Sequence, residues 1–154
     1  EADDVTRDVR DHLAEARRLL NDCEWEQALD ATRYVDAKSG SNEEADRLDI
    51  VAEASWWTGR LDDCIDAREA AYAAYDAIGD HRRAGQCAVW LWEHHAVKAR
   101  PAIGGGWLRR ARRALEDHPE TIEFASLVLR EAEVAHGAGA LDEAQRLAGR
   151  PNQR

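Results

Sequence analysis

The chain contains no methionine, one phenylalanine and three prolines among its 154 residues. No apolar run exceeds six residues, the length of Cys87–Trp92, whereas a helix that crosses a bilayer needs about 20. No basic segment precedes an apolar stretch, so the pattern of a signal peptide is not found. Because the chain starts at Glu1 and lacks an initiator methionine, we expect a fragment or a processed product.

Basic residues are also scarce, with 21 lysines and arginines against 31 acids and a formal net charge of −10. A general nucleic-acid binder carries a basic footprint, so we expect neither direct nucleic-acid binding nor membrane binding. The charge is uneven, at −13 over residues 1–80, +7 over 81–115 and −4 over 116–154. The basic block is interpreted as a solvated helix face or, alternatively, as a secondary docking surface for an acidic domain, a second protomer or nucleic-acid phosphates, with protein favoured over nucleic acid. Its main residues are Arg109, Arg110, Arg112 and Arg113.

Cysteines number three and are widely spaced, which favours free thiols in a reducing cytoplasm over a disulfide framework. We therefore predict a cytoplasmic location. Cys23 and Cys64 are predicted to serve as small packing residues, and Cys87 lies on an apolar helix face.

Helix-forming residues fill the stretches between the glycines and prolines, with apolar residues at spacings of three and four. No segment shows the strict alternation typical of strands. The sequence therefore predicts an all-α fold, with helices near residues 4–21, 24–37, 43–58, 61–78, 81–98, 102–116, 120–137 and 141–149.

A helix–turn–helix pattern repeats four times at spacings of 36, 40 and 40 residues. A small residue recurs in the second helix of each pair. Twelve positions before it, in the first helix, lies an aligned residue that is alanine in three of the four units. The turn lies five positions before the small residue. In order, the second-helix residues are Ala28, Cys64, Gly104 and Ala144, the first-helix residues are Ala16, Ala52, Trp92 and Ala132, and the turn residues are Cys23, Gly59, Ala99 and Gly139.

This pattern resembles the tetratricopeptide repeat (TPR) family, best in the strings Gly59–Cys64 and Gly139–Ala144. The resemblance implies one domain over residues 1–154, built as a right-handed α-solenoid of about four helical hairpins. The repeats would cover residues 4–40, 43–79, 81–118 and 120–154, with the last incomplete. The third unit departs most from the pattern, and we expect its Trp92 to face Gly104 where the two helices approach closely.

A narrower resemblance lies in the string Ala52–Asp62, in Ala67–Tyr72 and in Gly106–Ala111. These strings are similar to the repeat regions of actinobacterial LuxR-type transcriptional regulators, which carry a C-terminal helix-turn-helix DNA-binding domain. The resemblance implies that this chain is the sensor or scaffold part of such a regulator without its output domain.

Residue types that could support catalysis do not form a recognisable constellation. His94 and His95 point about 100° apart on a helix and cannot share one ligand face, so we predict that both are structural. The glycines of Gly104–Gly106 lack the lysine and the hydroxyl residue of a phosphate loop. We therefore predict no catalytic residue, no metal ligand, no cofactor and no enzymatic activity.

The resemblance implies a ligand surface in the concave groove lined by the first helices of the repeats. The predicted groove residues are acidic and aromatic, which suits a basic or amphipathic segment of a protein or peptide. Adjacent tryptophans cannot both pack in the core, and we expect Trp56 and Trp90, rather than Trp57 and Trp92, to face the groove. The alternative function is a small-ligand sensor whose tryptophan-lined pocket controls a DNA-binding domain, and homo-oligomers are a further option. The predicted groove consists of Arg17, Asp49, Glu53, Trp56, Trp90, Glu93, Arg130 and Glu133.

Overall fold

A computed structural model describes the backbone of residues 2–148 and the side chains of residues 5–146. All regular structure in that range is helical, which confirms the predicted all-α class. No helix in the described range is long and apolar enough to cross a membrane. The helices are α1 (Ala2–Asn21), α2 (Trp25–Thr32), α3 (Asn42–Trp57), α4 (Leu61–Ala77), α5 (His81–Val97), α6 (Pro101–Leu115) and α7 (Ile122–Ala148).

Three predicted turns share one backbone geometry. Cys23, Gly59 and Ala99 each follow a helix and adopt positive φ angles of 62°, 75° and 54°. At Gly59, the amide of Arg60 donates to the carbonyl of Ser55 at 2.8 Å, and the amide of Gly59 donates to Trp56 at 3.1 Å. This is the Schellman ending, in which a left-handed residue lets the last carbonyls find donors. The turn positions of the first three units are thus confirmed.

Side chains cap the starts of α3, α5 and α7, and the cap of α7 is the Thr121 hydroxyl, which accepts from the amide of Phe124 at 3.2 Å. The Ser41 hydroxyl accepts a hydrogen bond from the amide of Glu44 at 3.2 Å, and the Asp80 carboxylate accepts one from Arg83 at 3.1 Å. Each bond satisfies one of the amides that the first turn of a helix leaves without an intrahelical partner. Pro101 opens α6, where its missing amide costs nothing.

Helices α1 to α6 pack mainly against their neighbours in the chain, α1 also contacts α3, and α7 contacts both α5 and α6. The small residues of the first two units are fully buried: Ala16, Ala28, Ala52 and Cys64 are each 0% exposed. In the third unit Trp92 faces Gly104, as predicted. A Cβ on Gly104 would lie 3.3 Å from the Trp92 carbonyl oxygen and 3.4 Å from Cδ1 of its ring.

The fourth unit differs from the prediction. Residues 122–148 form one continuous helix of 27 residues, so the predicted break near Gly139 and the separate helix over 141–149 are wrong within the described range. A break would leave carbonyl and amide groups without partners, whereas a glycine inside a helix costs only about 1 kcal/mol. Ala132 and Ala144, the small residues of this unit, are exposed instead of packed together. Residues 149–154 of the predicted unit lie outside the described residues.

The predicted helix over residues 24–37 is also shorter than expected, because α2 ends at Thr32. The Thr32 hydroxyl donates to the carbonyl of Leu29 at 2.6 Å. The amides of Arg33, Tyr34 and Val35 then bond three residues back, a tightened ending that stops the α-helical pattern.

Candidate binding groove

The predicted groove residues all lie on α1, α3, α5 and α7, the odd-numbered helices. Side chains link these helices across the surface: an Arg17 guanidinium nitrogen lies 3.8 Å from the Asp49 carboxylate, and one of Arg130 lies 3.9 Å from Glu93. The Arg82 Nε atom lies 3.0 Å from the Glu123 carboxylate. The structure therefore brings the predicted residues into two groups, one around Asp49 and one around Arg130.

Asp49 is the charged centre of the first group. Besides Arg17, it accepts a hydrogen bond from Arg68, whose side chain reaches in from α4 and is only 4% exposed. Sequence reasoning missed Arg68. Arg68 lies on the face of α4 that also buries Cys64 and Ala71. An arginine within a helical pattern is normally predicted to face solvent, so its burial had no clear indication in the sequence.

Glu53 lies one turn after Asp49 on α3 and is half-buried. Burial raises the pKa of its carboxyl, and the negative charge of Asp49 raises it further, while Arg68 and Arg17 act in the opposite direction. Within the described part of the chain, the Glu53 carboxylate forms no ion pair. The predicted groove residues therefore include a partly desolvated acid whose charge is opposed only at a distance.

Two indoles pack around His94, one on α3 with Glu53 and one on α5. Trp56 and Trp90 are both half-buried, and their ring centroids lie 4.7 Å and 6.2 Å from that of His94. The Arg68 guanidinium lies over the Trp90 ring at 6.0 Å. Indole faces attract cations through the ring quadrupole, so this wall of the groove already holds one guanidinium against an aromatic surface.

The tryptophan at 57, expected in the core, is in fact the more exposed of its pair. The side chain of Trp57 is 56% exposed and stacks on Trp25 at a centroid distance of 5.3 Å. Trp56 remains half-buried because it packs on the His94 ring. Trp90 was expected to be more exposed than Trp92, but both are half-buried.

His94 and His95 are packed in the interior, as predicted, at 0% and 3% exposure. The Nε2 atom of His94 lies 3.3 Å from the Cys64 Sγ atom. Burial, with the charge of Arg68 adding to it, lowers the pKa of His94 to about 3, and burial raises the pKa of Cys64 to about 11. Both groups are therefore neutral near pH 7, so the thiol is not activated as a nucleophile.

The other two cysteines occupy contrasting positions. Cys87 is 2% exposed, which confirms its place on an apolar helix face, and burial raises the pKa of its thiol. Cys23 was predicted to be a packing residue, but it is exposed in the turn after α1. Its position requires a left-handed backbone rather than a small buried side chain.

The second group of groove residues is centred on Arg130. Its guanidinium lies 2.9 Å from Glu133 and 3.9 Å from Glu93, and it covers the ring of Trp92 at 5.8 Å. The two carboxylates at this end of the groove therefore share one internal cation. One arginine of the chain itself thus offsets one of the two negative charges predicted here.

The basic surface lies on α6. Arg110 stacks over the Trp107 ring at 4.3 Å, and Arg112 pairs with Glu131 of α7. Arg109 and Arg113 are exposed and form no ion pair within residues 5–146. Two of the four arginines thus have structural partners, and two remain available to solvent.

The groups that could bind a metal are dispersed. No cluster of three or more histidine, cysteine or acidic side chains among the described residues could hold a metal ion.

A polar cavity of about 300 Å³ lies between Arg17, Asp49, Tyr75 and Arg83. Its charges are paired across helices: Arg83 bonds to Asp46, which also accepts a hydrogen bond from the Tyr75 hydroxyl at 2.7 Å.

Comparison of the chain with protein-family models, with curated proteins and with solved structures gives no significant match.

Proposed function

We propose that this chain is a non-enzymatic binding module whose groove holds a basic or amphipathic segment of another protein. The observation that carries the proposal is the state of Glu53, a half-buried carboxylate without an ion pair among the described residues. A lysine or arginine of a partner would supply the missing charge at a site that is already partly desolvated. Hydrogen bonds to charged groups of this kind are among the stronger ones in proteins.

The neighbouring indoles support the same class of ligand. Trp56 follows Glu53 by three residues on α3, and Trp90 contributes a ring that already contacts a guanidinium. An amphipathic segment could place its cation at Glu53 and its apolar face on these rings. Tryptophan offers large contact area with few rotatable bonds, which keeps the entropic cost of binding low.

We further propose that the helices form a right-handed solenoid of the TPR kind and that the module is the regulatory part of a larger protein resembling LuxR-type regulators. The left-handed turns at Cys23, Gly59 and Ala99 and the packing of each helix on its chain neighbours support the first statement. The second rests on the sequence strings alone. A groove of this kind would receive a segment of a partner or of the same regulator.

The test uses a helical peptide with lysines on one face and leucines on the other, and a matched peptide with glutamates in place of the lysines. Binding is followed by calorimetry. We expect only the lysine peptide to bind, and Glu53→Gln to weaken its binding by roughly 10-fold or more, the value of one charge-assisted hydrogen bond. The control is Glu120→Gln, which removes an exposed carboxylate from the turn before α7.

The pH dependence gives a second readout. Because the pKa of Glu53 is raised, its charge is lost at a higher pH than that of an ordinary carboxylate. Affinity should therefore fall as the pH drops through this raised pKa, and Glu53→Gln should remove that part of the dependence. Equal binding of both peptides, or unchanged affinity of the Glu53→Gln variant, contradicts the proposal. Saturable binding of a small apolar compound that quenches tryptophan fluorescence, without peptide binding, favours the sensor alternative.

A further inference from the structure

The second half of α7 exposes an apolar face. Every residue from 132 to 146 is exposed, including Val134 at 47% and Leu141 at 59%. Together with Ala138 and Ala144, these two side chains follow each other at spacings of three and four, so they share one side of the helix. No other described helix contains so long an unbroken run of exposed residues.

The chain itself shows how such a segment packs elsewhere. Gly139–Ala144 follows the same pattern as Gly59–Cys64, in which glycine, one further residue, leucine, two acids and a small residue follow in order. In the earlier copy Leu61 packs against the core and Cys64 is 0% exposed. In the later copy Leu141 and Ala144 are exposed. The later segment therefore has the residue pattern of a packed helix, yet its side chains are exposed among the described residues.

A matching surface lies along the seam between α6 and α7. Two adjoining cavities, of about 510 and 550 Å³, share Gly105, Leu108 and Val134. One extends over apolar atoms of Trp92 and Ala96, and the other is rimmed by three arginines. The rim residues are Arg109, Arg112 and Arg113.

The charges of the seam and of the segment are complementary. Arg109 and Arg113 form no ion pair among the described side chains, and the carboxylate of Asp142 forms none either. Arg112 and Glu143 have partners of their own, Glu131 and Arg146. Docking of the segment would place an acid beside unpaired arginines, in addition to covering Leu141.

The segment cannot reach the seam of its own chain while α7 is straight. Leu141 lies seven residues beyond Val134, or about 10 Å along the helix axis at 1.5 Å per residue. We infer that the occupant is residues 138–148 of a second copy of this chain, with each copy giving its segment to the other in a two-fold dimer. This interface uses none of the predicted groove residues and does not depend on the peptide-binding function.

The first test is the mass of the full chain by light scattering over a range of concentrations. We expect a dimer, and we expect Leu141→Glu to raise its dissociation constant by about 100-fold, because the dimer buries this leucine twice and each burial is worth roughly a factor of 10. Ile122→Glu is the matched control, since Ile122 is an apolar residue of the same helix that is 76% exposed and lies outside the seam. A chain that stays monomeric at its solubility limit overturns the proposal.

Mixing distinguishes exchange between chains from folding back within one chain. Gly105→Phe should fill the seam and leave the segment intact, while Leu141→Glu leaves the seam intact. Neither variant should dimerise alone, and their mixture should form a heterodimer through its one intact contact. Absence of the heterodimer, with circular dichroism showing both variants folded, contradicts exchange.

Glycine substitution addresses the same question from the backbone. Gly137→Ala with Gly139→Ala favours the continuous helix and should strengthen the dimer, because a Cβ at either position meets nothing within 4 Å. If the wild-type chain is monomeric and these two substitutions convert it into a dimer, the segment of the wild-type chain folds back on its own seam.

Discussion

His94 and Cys64 form a buried pair, with 3.3 Å between the imidazole Nε2 atom and the thiol Sγ atom. Both are 0% exposed and come from neighbouring helices, α5 and α4. The pair joins the two helices, and the His94 ring also packs against the indole of Trp56. Protonation of this imidazole would place a charge in the interior close to the cation of Arg68.

The first prediction concerns acid stability. The pKa of His94 is about 3 in the folded chain, against 6.5 for an ordinary histidine, because of burial and then the charge of Arg68. Between these values only the unfolded chain binds the proton, so His94 lowers the free energy of unfolding as the pH falls from 6.5 to 3, by a few kcal/mol in total. His94→Gln should flatten this part of the profile measured by urea denaturation, whereas His136→Gln, at an exposed site of α7, should not.

The second prediction concerns the contact between Trp92 and Gly104. Gly104→Leu should lower the melting temperature by several degrees, since overpacking costs about 1–3 kcal/mol and the Trp92 carbonyl is backbone that cannot rotate away. Gly106→Leu is the control, because the nearest atom to its added Cβ is the end of the Arg109 side chain at 3.9 Å. Equal melting temperatures for the two variants would refute the close approach.

The third prediction concerns Gly85, a buried glycine of α5. A Cβ there would lie under 3.0 Å from three side-chain atoms of Leu115, which is 0% exposed. Gly85→Ala should therefore lower the free energy of unfolding even though alanine favours the helix. Gly106→Ala should raise it by about 1 kcal/mol, since the same substitution meets no such obstacle. Opposite signs in thermal melts are the expected result, and two stabilising changes would contradict it.

The fourth prediction concerns the left-handed turns. Cys23 and Ala99 hold positive φ angles that cost a residue with a Cβ about 1 kcal/mol. Cys23→Gly and Ala99→Gly should each stabilise the fold by up to that amount. Gly59→Ala should destabilise it similarly, and only through the backbone, because nothing lies within 4 Å of the added Cβ. Chemical denaturation of the three variants measures their free energies of unfolding. A change of the same sign in all three would argue against the turn geometry.

Local chemistry explains which parts of the fold the sequence could predict. Turn positions followed from glycine and its substitutes, and the small residues at positions 16, 28, 52 and 64 pack as their spacing requires. The same signal failed at Gly139, because a glycine permits a turn but does not require one. Whether the chain turns at Gly139 depends on whether the residues after it can pack against another part of the chain.

The groove was less predictable than the turns. Its residues could be placed on the correct helices by counting, but the ion pairs that neutralise Glu93 and Asp49 depend on side chains from other helices. Arg68 is the clearest case, because only three-dimensional packing shows that it is buried against Asp49. Trp57 is the opposite case, because it was expected in the core and instead lies at the surface, where it stacks on Trp25.

The packing of each helix on its chain neighbours also bears on how the molecule folds. Contacts between adjacent helices close loops of only a few residues, so little chain entropy is lost before each contact forms. Proteins dominated by such local contacts fold in microseconds to milliseconds. The chain should therefore fold rapidly and can start from any of its hairpins, with α5 and α6 the natural nucleus because together they contribute most of the largest apolar cluster.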